Sequence, residues 1–342
     1  MTTPLTSVSY SPPASGGGGA VSPAAGGTAS APQSSAPSSP SGAALNALDA
    51  AVRAAAATQG GLAELLADLE AALGAADLPE GVQAAAELVL GAQLSINPPP
   101  SADDLHQAVA QSGLFLESQL ASADAPAEGD LKAALLNLSQ ALQDWSAASA
   151  PAGARSTPPA PPYPGGPLKG QPAQASTLPQ DAALEMVAGR LSRQTAGALS
   201  RQVLMQAASS PKSSEGSRDA QWLFELPLAT PEGASIAQFE IDRDASQDND
   251  GEDDKDGPTW RASFSLDLTG VGPVHARVVL RAGQARVTLW AENSATLAKL
   301  EAHKAELAEA LQDENLSPQL ALFPGAPQAR PPSAGRFMDR AV

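Results

Sequence analysis

Between Thr259 and Ala291 three runs of residues alternate strictly between apolar and polar, and a helical pattern follows them to Leu311. A period of two builds a one-sided strand and leaves no coherent stripe on a helix of 3.6 residues per turn. The first run has Trp260, Ala262, Phe264, Leu266 and Leu268 on one face, with Thr259, Arg261, Ser263, Ser265 and Asp267 on the other. Treating Ala282–Gly283 as a two-residue turn places Arg281 opposite Gln284. The apolar sets of the next two runs then match: Leu280 with Ala285, Val278 with Val287, Ala276 with Leu289, Val274 with Ala291. A slip of one residue would send every apolar side chain to the wrong face, so the register is well specified. Asn293 is a good N-cap for a helix from Ser294 to about Glu314, with Leu297, Leu300, Leu307 and Leu311 as its buried stripe.

Two earlier runs extend the signal. Trp222, Phe224, Leu226 and Leu228 alternate, as do Ala237, Phe239 and Ile241 after the turn at Pro231–Gly233. An acidic loop follows, and Ser317 to Phe323 supplies a last strand. Seven of the 12 aromatic residues fall between Trp222 and Phe323. The expected fold is an α+β C-terminal head, ββ-β-ββαβ, with one helix on an antiparallel or mixed sheet. A largely disordered stalk, Ala-rich helical in part and Pro-rich in part, should precede it.

The stalk reading rests on composition. Aromatics make up 4% of the 342 residues, while 29 Gly and 31 Pro favour chain that cannot offset its ordering entropy. Residues 1–42 are low-complexity Ser, Pro, Gly and Ala and should be disordered. Residues 43–149 read as short Ala/Leu-rich helices, with the clearest stripe at Leu131, Leu135, Leu138 and Leu142. Alanine buries little area, so these helices should pack only loosely. Residues 150–180 form a Pro-rich linker, 181–220 a helix and loop, 221–323 the head, and 324–342 a disordered tail.

The formal charge of −17 argues against nucleic acid or an anionic membrane as the main partner. There is no cysteine, so thiolate chemistry and disulfides are absent. The first residues lack the basic and apolar regions of a Sec signal, and no run of about 18 apolar residues offers a membrane span. No metal or other cofactor is expected. His106, His275 and His303 are isolated, and Gly16 to Gly19 lacks the Lys-Ser/Thr of a phosphate loop. Asp248, Asp250 and Gly251 have calcium-loop spacing, but position twelve is Gly257 where a bidentate Glu is required. No Ser/His/Asp or paired-carboxylate pattern stands out, though spacing does not address a triad assembled in space.

The residues Phe264-Ser-Leu-Asp-Leu268, Val271-Gly-Pro-Val-His-Ala276 and Val287-Thr-Leu-Trp-Ala-Glu292, with the Leu-rich helix after them, resemble the C-terminal domain of flagellar hook-length control proteins, the FliK family. Where that family usually shows Pro-Glu-x-Leu-Gly-x-Val, this chain keeps Gly272 and Val274, has Val271 for the leucine, and has Leu268-Thr-Gly270 before it. Ser112-Gly-Leu-Phe-Leu-Glu-Ser118 and Asp130-Leu-Lys-Ala-Ala-Leu-Leu136 are similar to a segment of the family's longer members. The resemblance implies a non-enzymatic protein, made in the cytoplasm and exported through the flagellar type III apparatus to the extracellular side. It would act as a molecular ruler among hook and hook-cap subunits, with residues 1–42 as the export region. Its head would switch export from hook to filament substrates on meeting the cytoplasmic domain of the export-gate protein FlhB. A monomer is expected. About 220 residues before the head would reach roughly 330 Å if helical and over twice that if extended.

Gly272, Val274 and Ala276 match family positions tied to switching, although Val274 and Ala276 also suit a core. His275, Arg277 and Trp290 share the face opposite the apolar set, with His275 paired to Trp290. They form either a partner surface or a second core under the first two strands. An extracellular scaffold with a binding head, and an enzyme, remain the rival functions.

Overall fold

A computed structural model of the chain describes residues 40–75, 77–122, 129–145, 158–209, 220–244 and 258–328. In chain order the elements are α1 (Pro40–Thr58), α2 (Leu62–Ala75), α3 (Glu80–Gly91), β1 (Leu94–Ser95), α4 (Ala102–Ala110), α5 (Leu116–Ala121), α6 (Leu131–Trp145), α7 (Leu184–Ser209), β2 (Ala220–Thr230), β3 (Gly233–Asp244), β4 (Thr259–Leu268), β5 (Gly272–Arg281), β6 (Gln284–Ala291), α8 (Ser294–Ala302), α9 (Lys304–Asp313) and β7 (Ser317–Pro324). Two units divide the chain, residues 1–44 and 45–342. Only the start of α1 is described in the first; every later element lies in the second.

The seven strands form one mixed sheet in sequence order. β2 to β6 are an antiparallel meander, while β1 runs parallel to β2 and β7 parallel to β6. Rows of directly opposed residues cross the sheet unbroken. One runs Phe224, Phe239, Phe264, Ala276, Leu289, Leu322, and a second runs Trp222, Ile241, Ala262, Val278, Val287, Leu320. In the first row the three phenyl rings stand 5.3 Å apart, centroid to centroid. The β5–β6 register is the one read from the sequence, down to Arg281 opposite Gln284. Ala282 and Gly283 both take positive φ, the requirement of the tight primed turn. Asn293 caps α8 by accepting from Ala295 N–H at 2.9 Å.

The helix after β6 is not continuous. It breaks at His303, whose ψ of 8° leaves the helical region, and α8 and α9 result. Their leucines are half-buried; in these two helices only Thr296 is fully buried, donating to Val271 O at 2.7 Å.

The weakly packed stalk is corrected by the structure. Leu62, Leu65, Leu66 and Leu69 of α2 share one core with Leu131, Leu135, Leu138 and Leu142 of α6 and with Val187 and Leu191 of α7. Ala234 and Ile236 of β3 belong to the same core. The physical reason lies in the first hairpin, which carries buried apolar residues on both faces. Its second face, with Leu223, Ala234 and Ile236, needs a cover of its own, and the helices supply it.

The Pro-rich segment is corrected too. Residues 158–178 are extended, but they lie on the sheet as a strap. Gln171 forms an antiparallel bridge to Ile236, with both backbone bonds made (2.9 and 2.8 Å). β4 pairs with β3 only as far as Ser265 opposite Gln238, so the edge of β3 beyond that point is open to the strap. Gly170 sits in the fork, where a Cβ would stand 2.8 Å from Asp267 N, and its N–H donates to Ser265 Oγ. Farther along, Asp68 of α2 accepts from Ser176 Oγ and from both N–H and Oγ1 of Thr177. Arg201 of α7 and Glu225 of β2, both buried, pair at 2.7 Å. Gln59, Ala160 O and Gln171 join them, so strap, helices and sheet share one polar network.

Candidate partner surface

The sheet splits the six sequence-predicted residues between its two faces. Val274 and Ala276 point into the apolar rows, Ala276 fully buried and Val274 half-buried. Both are core side chains of the head. Gly272 opens β5 with φ +79°, a backbone conformation that a side chain would strain. It stands opposite Leu268 and holds the turn that starts the strand.

His275, Arg277 and Trp290 lie on the other face. His275 and Trp290 are directly opposed, and the Arg277 guanidinium lies 5.8 Å from the Trp290 ring centroid. Trp290 in turn stacks on Phe323 of β7 at 6.2 Å. β2 and β3 do not fold over this face as a second layer. They extend the same sheet sideways, and the strap at Gly165–Leu168 borders the surface instead.

His275 is buried. Its Nε2 stands 3.3 Å from Glu292 Oε1, and its Nδ1 has no hydrogen-bond partner among the described residues. It lines a cleft of about 770 Å³ between strap and sheet, together with Asp267, Glu292, Lys169 and Tyr163. Burial pushes the Asp267 carboxyl above its ordinary value, and the Glu292 charge adds to the rise; Lys169 and His275 oppose it. Among the described residues no group of three or more His, Cys, Asp or Glu could hold a metal ion. His106 is exposed, and His303 Nδ1 stands 3.1 Å from Glu306. The residues weighed for a calcium loop, 246–257, and the segments 1–39 and 329–342 lie outside the described residues.

The sequence puts Arg261 on the polar face of its strand without marking it as a site residue, and Phe323, Arg281 and Arg286 on this face were not singled out. The alternation of β4, β5 and β6 already set those arginines there. That β7 lies beside β6, bringing Phe323 to Trp290, has no signal in the local pattern.

Residues 249–328 match the family model of the flagellar hook-length control protein FliK. The described part of the match takes in β4 to β7 with α8 and α9, the half of the sheet that carries this surface. Over that stretch the chain is similar to the FliK family's domain of flagellar hook-length control, a regulatory family and not a known enzyme family. No curated protein and no solved structure matches the chain. Among the described residues no helix is long and apolar enough to cross a membrane.

Proposed function

We propose that this protein is exported by the flagellar type III apparatus while the hook grows and ends that growth through its C-terminal sheet. In this reading the face bearing His275, Arg277 and Trp290 meets the cytoplasmic domain of the export-gate protein FlhB, and export turns from hook to filament subunits. Hook and hook-cap subunits line its route, and no cofactor takes part. The observation that carries the reading is the hook-length control match over the sheet half that presents this face. The polar-aromatic character of that face supports it, since aromatic and Arg side chains are enriched where proteins dock.

Length measurement needs a different physical basis from a slack stalk. Helices α2, α6 and α7 share a core with the sheet, so ruler-like reach has to come from the chain while it is threaded and unfolded. The test is deletion of the gene followed by electron microscopy of hook-basal bodies. Hooks of uncontrolled length without normal filaments are expected. Hooks of ordinary length would refute the reading, and ordinary hooks with lost surface attachment would favour the scaffold instead.

A further inference from the structure

We infer that the strap is an autoinhibitory cover of the docking face. Its middle, residues 163–175, lifts off the sheet while its ends stay anchored, and only then is His275 open to a protein partner. The inference deepens the proposed function, because it states how that face is regulated, and it rests on that reading.

Ends and middle differ in what holds them. At one end Gln59 donates to Pro159 O at 2.9 Å and Arg201 to Ala160 O at 3.1 Å. At the other, Asp68 accepts from Ser176 and Thr177, and Leu178 packs on the helical core. Both ends are therefore fixed to helices. The middle is fixed to the sheet through backbone N–H groups. Gly165 donates to Glu240 Oε1 at 2.6 Å, Lys169 to Gln238 Oε1 at 2.8 Å, Gly170 to Ser265 Oγ at 3.2 Å and Gln171 to Ile236 O at 2.9 Å. Within 163–175 only Gly170, which has no side chain, is fully buried. Leu168 is half-buried, against Met205, Ala208 and Leu223. Water replaces bonds of this kind and little apolar surface is lost, so the middle opens at a lower cost than the packed helices and strands do. Gly165, at φ +69°, and Gly166 supply a hinge.

What lies beneath the middle favours its release. Ser265, which accepts from Gly170, stands directly opposite His275, so the strap passes one strand away from that ring. His275 is 7% exposed, whereas Arg277 on the same face is open to solvent. The closed strap leaves the His275 Nδ1 without a hydrogen-bond partner among the described residues and keeps the Asp267 carboxyl partly out of water. The cleft between them shows that the middle spans the sheet rather than packing flat on it. Lifting it returns both polar groups to water, which offsets part of the bonding lost.

The test follows His275 in the full chain by carbethoxylation with diethyl pyrocarbonate, read residue by residue by mass spectrometry. His106 and His303 are exposed and serve as references. In the unaltered protein His275 should react about tenfold or more slowly than either, at a rate that stays flat up to about 1 M urea, as local opening requires. Gly170→Val should bring that rate to within about threefold of the references. Gln238→Ala combined with Glu240→Ala removes two acceptors of the strap without crowding the fork. That pair should act in the same direction, and it covers the case in which Gly170→Val loses its fold. His275 that stays protected in folded variants, or that reacts only where urea unfolds the whole chain, overturns the inference. Titration with the cytoplasmic domain of the gate protein separates the two readings. The lifted variants should bind it at least about fivefold more tightly than the unaltered chain. Equal affinity would refute the inhibitory role alone, and no binding by any of these chains would refute the docking reading beneath it.

Discussion

Val278 occupies the row that joins Trp222 to Leu320 across the sheet, directly opposite Val287. A carboxylate there has no polar partner in the row. Val278→Asp should cost on the order of 3 kcal/mol, read as a lower denaturant midpoint. An unchanged midpoint would place Val278 outside the core. Glu225 tests a different kind of burial. Glu225→Ala leaves the Arg201 charge unpaired inside the protein, so a loss of about 3 to 5 kcal/mol is expected. Replacing both partners together with apolar residues should cost less, and an equal cost would contradict the charge argument. Asp130 at the start of α6 is buried, which pushes its carboxyl above the ordinary value, while the Ala133, Lys132 and Gly113 N–H groups offset part of the rise. The folded state therefore holds that proton more firmly than the unfolded chain does. Its contribution to stability is complete at pH below the ordinary Asp range and is lost as pH rises through the raised folded value. Asp130→Asn, which keeps an acceptor for Ala133 N–H, should raise the melting temperature near pH 7 and leave it unchanged near pH 3. Equal shifts at both pH values would count against burial as the cause.

Among the elements, the strap differs most from an ordinary connection. A segment rich in Pro and Gly forms no strand of its own, yet it completes the edge of β3 where β4 turns away. Gly170 is the residue that lets two backbones approach that closely. Gly170→Val should lift the strap out of the fork and speed amide hydrogen exchange at Gln171 and Ile236 together. Exchange that stays slow at both would show that the bridge survives without the glycine. Replacing 158–178 by a flexible linker of equal length should destabilise the sheet as well, so this stretch is not a neutral spacer. The opposite sheet edge is guarded by proline. Ser317 donates its N–H to Gly283 O, in the turn just before β6, and Gly325 to Ala291 O at the end of β6, so Pro318 and Pro324 fall at outward-facing positions where they have none to offer.

At the scale of the molecule, the shared core of α2, α3, α6, α7 and β3 joins helices and sheet. With Trp145 of α6 replaced by Phe, the far-UV helix signal and the fluorescence of Trp222, Trp260 and Trp290 should therefore be lost in one coincident thermal transition. Loss of the helix signal well before the fluorescence change would restore the picture of a yielding stalk and a sturdy head. On the proposed reading, a single transition would also mean that export has to open helices and sheet together, with no weak segment among the described helices and strands to give way first.

Period-two alternation and turn chemistry are local, which is why the β5–β6 register, the Asn293 cap and the shared face of His275, Arg277 and Trp290 were already present in the amino-acid order. The leucine stripes of α2 and α6 were visible there as well, but not what they would pack against. Three features belong to the tertiary structure alone: the helices covering the first hairpin, the strap in the fork of β3 and β4, and the approach of Phe323 to Trp290. The strap is held mainly through backbone groups, polar side chains and a missing Cβ, none of which imposes a repeat on the sequence. The helices found their place because a second apolar face stood open, and no single segment carries the information that two such faces will meet.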